Sequence, residues 1–382
     1  MITFIVNNDV HYMRARLIRD QIHHCDSQAR FHLVKFLPSA LTMTEADHLY
    51  DRIYESRGLF GSFWQLLNLK IEKKIKQNLD RVPFAKGDIL FLFTEYELGN
   101  HYLVQRAKQA GARVFIVDEG IGTYIINNYP NLSAGSSVKQ RVIGEVTQWI
   151  QHFTDSRRLT GNGSLYFPVL KDTYYDGYIL FYNFPLKRSM PLIYLQYPEA
   201  GQEIPNLDPD AVIILGEGLH RYHISEQEYI DSLLAIIRSA ARNFRHVYFK
   251  FHRCETAFQG RPLYQRLQDE MQIQGVRILD AARPEAIENI IPDLDFPPRF
   301  VVSYLCTALF NLYARGCQPI FTCQLIQERD EDFEVVKDLL SNVGYNLIRS
   351  YNDISPDYST HLSQDRIFPA DRTVADFYRS LN

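Results

Sequence analysis

Several short stretches of this chain put reactive side chains where an apolar strand gives way to a turn. Arg113 to Val117 reads as a buried strand that runs into Asp118, Glu119 and Gly120. In an open α/β sheet, ligands bind at the carboxyl ends of the strands. Two acids there, followed by glycines that let the backbone turn, suit a general base, although Asp and Gly are also ordinary turn formers. In Lys250-Phe-His252, Lys250 and His252 alternate along a strand and share a face. Together they suit an anionic group such as phosphate, with the imidazolium as proton donor; a satisfied strand-edge histidine is the plainer reading. A further strand ends at Ser303, and the next helix opens near Cys306-Thr307, so hydroxyls and free N–H groups converge as an anion site. Thr307 also serves as a simple N-cap. Gly216-Glu-Gly218 is a turn able to bring backbone N–H groups near a ligand. Pro284-Glu285 puts a carboxylate in a helix's first turn, where the dipole favours it and where it would also accept the hydroxyls of a ribose diol. No HExxH and no clustered His or Cys offers a catalytic metal a seat.

The elements that must position these residues follow a regular order. Strands are expected at 2–7, 31–36, 88–94 and 112–117, with helices at 10–23, 44–80 and 99–110. The helical reading of 44–80 is broken near Gly58 and Gly61. Strands alternating with helices imply right-handed βαβ units and a mostly parallel sheet. Its functional edge lies at Thr94-Glu95, Asp118-Glu119 and Asn7-Asn8. There is no GxGxxG after the first strand. Between 135 and 200 the pattern loosens, and Pro185, Pro191, Pro198 and Pro205 punctuate it. A second series then runs through strands at 211–215, 246–252, 276–279, 299–303 and 319–322. Its helices are expected at 225–243, 261–274, from Pro284, and at 306–315. The Ser-x-x-Glu of Ser225 and Glu228 is a capping box. The expected fold is α/β, with two Rossmann-like domains, 1–195 and 196–382, facing a central cleft. The last helix, about 371–381, would pack back on the first domain.

Composition sets broad bounds. At 382 residues, 46% hydrophobic and 23% charged, the chain is long enough for two cores and ordinary for a globular protein. A net charge of −4 gives no electrostatic footprint for nucleic acid. Five scattered cysteines, none in CxxC spacing, indicate neither a zinc site nor a disulfide framework and fit a reducing setting. No signal peptide is read at the N-terminus, and no apolar run reaches the roughly 18 residues of a membrane span. The expectation is a cytoplasmic protein. The amphipathic, basic stretch 63–76 keeps peripheral contact with the inner face of the cytoplasmic membrane open, beside the reading of a solvated helix packed on its domain.

An Asp/Glu-rich Gly motif after a first-domain strand, Lys-x-His after a second-domain strand and a hydroxyl pair opening a later helix together form a familiar order. Asp118-Glu119-Gly120, Leu215-Gly216 with the Ser225 helix, Lys250-Phe-His252, Pro284-Glu285 and Cys306-Thr307-Ala-Leu-Phe run through most of the chain. In this it resembles the bacterial sialyltransferases of GT-B architecture, especially the capsule and lipooligosaccharide sialyltransferase and polysialyltransferase group. The resemblance implies an inverting, metal-independent glycosyltransferase without a cofactor. It would move sialic acid or a related nonulosonic acid from a CMP-sugar donor to a cell-surface glycan acceptor. Asp118 would be the base, with Glu119 and Gly120 accessory. His252 would bind the donor phosphate and assist its departure, Thr307 and Ser303 would hold the same phosphate, and Glu285 would meet the ribose. Gly216, Lys250 and Arg253 would complete the donor side. Two departures stand out: Arg253 follows His252 where the family has proline, and Cys306-Thr307 replaces its pair of serines. They leave open which nonulosonic acid is used, pseudaminic and legionaminic acid included. CMP-Kdo, a UDP- or GDP-sugar, or a non-catalytic scaffold of polysaccharide assembly are the rival readings.

Overall fold

The computed structural model describes residues 1–37, 47–57, 76–95, 97–128, 172–198, 202–218, 224–252, 255, 258–279, 287–326, 338–341, 345, 348–359, 364–369 and 372–381. They divide into two compact units, Met1–Pro198 with Pro369–Asn382, and Glu199–Phe368.

The first unit is built on β1 (Ile2–Val6), whose five side chains are all buried. It is followed by α1 (Asp9–Cys25), β2 (Phe31–Leu37), β3 (Arg52–Arg57), β4 (Ile89–Leu92), α2 (Leu98–Gln109), β5 (Arg113–Val117), α3 (Ile121–Asn128), β6 (Gly177–Leu180) and β7 (Leu192–Tyr194). The sheet order is β3-β2-β1-β4-β5-β6-β7, parallel throughout. Strand order therefore reverses between β1 and β4, and a ligand crevice is expected at such a switch point, outside the carboxyl ends of the strands. α1 begins where Asn8, in extended conformation, accepts the His11 N–H. It buries Tyr12, Ala15, Ile18 and Ile22, the spacing of one helical face.

Three strands of this unit differ from the sequence reading. Residues 52–57, expected as helix, form β3, an edge strand whose charged sequence Arg-Ile-Tyr-Glu-Ser-Arg suits an exposed rim. The loose region also supplies β6 and β7. The amphipathic stretch 63–76 lies, apart from Lys76, outside the described residues.

The second unit holds β8 (Asp208–Leu215), α4 (Glu226–Asn243), β9 (His246–Lys250), α5 (Pro262–Ile273), β10 (Arg277–Leu279), α6 (Ile287–Ile290), β11 (Pro298–Ser303), α7 (Thr307–Ala314), β12 (Gln318–Phe321) and α8 (Gln364–Ile367). The order is β10-β9-β8-β11-β12, again all parallel, with the switch point between β8 and β11. Ser225 caps α4 by accepting the Glu228 N–H. The fold class read from the sequence, α/β with two Rossmann-like parallel-sheet units in series, is the one observed.

The last helix, α9 (Val374–Arg379), belongs to the first unit. Thr373 and Asp376 form its capping box. Phe377 meets Phe115 edge to face at 5.1 Å, and the Tyr378 hydroxyl donates at 2.7 Å to Asp26, the residue that ends α1. Among the described residues, no helix is long and apolar enough to cross a membrane.

Candidate active site

In the first unit, neighbouring strands deliver Asn7 and Asn8 (after β1), Thr94 and Glu95 (after β4), and Asp118 and Glu119 (after β5) to one edge. At the switch point, Asn7 and Asn100 exchange amide hydrogen bonds of 3.3 and 3.0 Å, and the Asn100 amide also donates to the Thr94 carbonyl at 2.8 Å.

The two adjacent acids have opposite surroundings. Asp118 is wholly buried. Its Oδ1 accepts from Arg14 at 2.6 Å, and its Oδ2 accepts from the Tyr124 hydroxyl at 2.9 Å and the Phe181 N–H at 2.8 Å. Arg14 also donates to the Asp118 carbonyl. Both carboxylate oxygens are thus engaged inside the unit, locking β5, α1 and the start of the loop after β6. An acceptor hydroxyl would have to displace a structural bond to reach them. Glu119 is the acid with access: its side chain is 27% exposed, and its Oε2 lies 2.7 Å from His11 Nε2. His11 is buried in the first turn of α1 and stacks on Phe93 at 5.3 Å. His11 Nδ1 accepts the Asn7 N–H at 3.2 Å, and Nε2 lies near both Glu119 Oε2 and the Asn8 amide nitrogen, 3.1 Å away; assigning the ring proton to Nε2 aims it at Glu119. Gly120 has φ +124°, open to glycine and strained for other residues, and lets the chain turn from β5 into α3.

Glu95, on the same edge, is committed elsewhere. It is buried, and Arg188 grips it with bonds of 2.7 and 3.2 Å while also reaching Asp172 at 2.7 Å. Burial pushes the Glu95 carboxyl up, against the pull of Arg188.

In the second unit the structure brings together Gly216, Lys250, His252, Ser303 and Thr307, because β9, β8 and β11 are adjacent and end at the same level. Lys250 lies opposite Leu215 in register and is half-buried; burial lowers its pKa, with Glu288 opposing. His252, one residue beyond the buried Phe251, is exposed. Arg253 and Glu285 lie outside the described residues.

The anion seat expected at Ser303 and Thr307 holds one of the protein's own carboxylates. Glu217 Oε1 accepts from Ser303 Oγ and from the Leu305 N–H at 2.7 Å. The Tyr304 and Cys306 N–H groups point at the same carboxyl, and with Ser303 they oppose the upward push of burial on its pKa. Ser303 Oγ also lies 2.9 Å from the Leu215 carbonyl. Thr307 begins α7 half-buried, behind Cys306 at the N-cap. Among the described residues, no three His, Cys, Asp or Glu side chains gather as metal ligands.

Sequence reasoning missed Arg14, His11, Glu217 and Glu255. His11 carried no signal beyond its place three residues after a helix-capping Asn8. Glu217 stands in the Gly-Glu-Gly turn, where the sequence signal comes from the glycines alone.

No protein-family model and no curated protein matches this chain. Solved structures of similar fold include UGT71G1 of Medicago truncatula complexed with UDP-glucose, at 12% identity and a TM-score of 0.49, covering 100% of this chain and 92% of that one. MurG of Acinetobacter baumannii is similar at 10% identity and a TM-score of 0.42, covering 100% and 90%. The GT-B domain of a Photobacterium damselae sialyltransferase is similar at 10% identity and a TM-score of 0.44, covering 93% and 94%. Identities of this size say nothing of sugar or acceptor.

Proposed function

We propose that this chain is an inverting glycosyltransferase that moves sialic acid or a related nonulosonic acid from CMP to a glycan acceptor. The observation that carries the reading is the His11–Glu119 pair, a solvent-reaching carboxylate held at 2.7 Å by a buried imidazole beside a sheet switch point. Glu119 takes the acceptor proton, and His11 donates to the opposite side of that carboxylate and holds its orientation. This role moves from Asp118, whose oxygens are both engaged.

The acceptor oxygen then attacks the anomeric carbon as the bond to CMP breaks, through an oxocarbenium-like transition state. The leaving phosphate gathers negative charge, and Lys250 and His252 supply the cationic edge that such charge needs. Lowering of the Lys250 pKa by burial makes it a proton source closer to neutrality than a free lysine.

The test is CMP release from CMP-sialic acid in the presence of sialylated oligosaccharide acceptors. Glu119→Gln should lose about 10²–10⁴-fold in rate, the range of a positioned base. Wild-type turnover by Glu119→Gln would remove Glu119 from the mechanism.

A further inference from the structure

Glu255 is a carboxylate closed to solvent, three residues after His252. Its Oε2 accepts the His252 N–H at 2.7 Å, and its Oε1 accepts the hydroxyls of Tyr229 at 2.7 Å and Tyr264 at 3.3 Å. The Tyr229 oxygen in turn accepts the N–H groups of Glu217 and Gly218, each at 2.9 Å. One carboxylate therefore joins the loop after β9 to the loop after β8, with α4 and α5 supplying the tyrosines. The fit is close: a Cβ on Gly216 would lie 2.2 Å from Glu255 Oε2. Burying an acid among neutral donors costs stability, and an apolar side chain would fill the space at lower cost. What the carboxylate alone does is accept from all three donors at once.

We propose that Glu255 is a positioning residue for the phosphate end of the site, fixing the loop that presents His252 against the Gly216–Gly218 turn. The proposal rests on the reading of His252 as a phosphate-facing group.

The experiment titrates wild type, Glu255→Ala and Glu255→Gln with CMP and with cytidine, which lacks the phosphate. Amide hydrogen exchange is followed on the same proteins. Glu255→Ala should bind CMP about tenfold more weakly while cytidine binding stays within about twofold. Exchange should quicken at the His252, Glu217 and Gly218 amides while β8 and β9 stay protected. Glu255→Gln keeps one acceptor for the His252 N–H but aims an NH₂ at a tyrosine oxygen that already accepts twice, so it should recover part of the CMP affinity. If the alanine variant fails to fold, the glutamine variant carries the test, with a smaller loss confined to CMP. Unchanged CMP affinity with unchanged exchange at the three amides overturns the proposal, and so does equal loss for CMP and cytidine. If wild type binds neither molecule, the sialyltransferase reading falls, and exchange alone judges the link between the loops: quickening confined to those amides upholds it, and no change refutes it.

Discussion

The buried acids of the two units are stabilised in different ways. In the first unit Asp118 is paired with Arg14, a cation as deeply buried as itself. In the second, Glu255 is held by two hydroxyls and an amide N–H, and half-buried Glu217 by a hydroxyl and the N–H groups that open α7. A buried charge with a counter-ion is a fixed structural element, whereas one held by neutral donors is poised to take up a proton. Burial accordingly pushes the Glu255 carboxyl up to about 7, against the pull of Tyr229, His252 and Tyr264. The comparison predicts that breaking the first arrangement is costly at any ordinary pH, whereas the second responds to pH itself.

The largest effect should come from Arg14→Met, which strands Asp118 without its cation and should cost about 3–5 kcal/mol in chemical denaturation. Adding Asp118→Leu to that variant should restore part of the loss, because no buried charge then remains. A cost below about 1 kcal/mol for Arg14→Met would contradict the account of the pair.

Next comes the pH response. A carboxyl whose folded value lies above its ordinary 4.5 stabilises the protein fully below that value, and its contribution is lost as pH rises through the folded value. Wild type should therefore lose about 3 kcal/mol relative to Glu255→Gln between pH 4.5 and 7, and little beyond it. Urea denaturation across that range checks this, and parallel curves for the two proteins would contradict it.

Gly216→Ala sharpens the comparison further, since the new methyl collides with the Glu255 carboxylate. The cost should be about 1–3 kcal/mol, and it should largely vanish in a Glu255→Ala background. Additive losses in the double variant would show that the contact is not the cause. The smallest effect is expected at Tyr378→Phe, which removes one partly buried hydrogen bond between α9 and α1 and should cost about 0.5–1.5 kcal/mol.

Much of the fold was legible because its strands are continuous apolar runs bounded by turn residues. β1, β5 and β9 could be found without tertiary information, and the Ser225 cap located the start of α4 to the residue. β3 was not legible, because an edge strand protected by charge has neither the apolar run nor the alternation that marks a strand. β6 and β7 are short and lie among prolines and aromatics with no period.

The site was legible in position and less so in role. The edge formed by Asn7-Asn8, Thr94-Glu95 and Asp118-Glu119 follows from strand order. Which of two consecutive acids turns inward does not: Val114 to Val117 are all buried, so β5 offers no alternation from which to extrapolate to Asp118 and Glu119. Glu95 likewise stood on the expected edge, but its partner Arg188 is 93 residues away and invisible to local pattern. The Glu217 carboxylate in the α7 seat is a meeting of two loops 88 residues apart in sequence at Leu305, again beyond local spacing.

The proposed function requires the second unit to recognise a single-phosphate cytidine leaving group. Calorimetric titration of the whole protein with CMP, UDP and GDP, each with and without EDTA, tests it most directly. The expected result is saturable binding of CMP in preference to UDP and GDP, unchanged by EDTA. Preference for UDP or GDP, loss of CMP binding on chelation, or no binding of any of the three would contradict it.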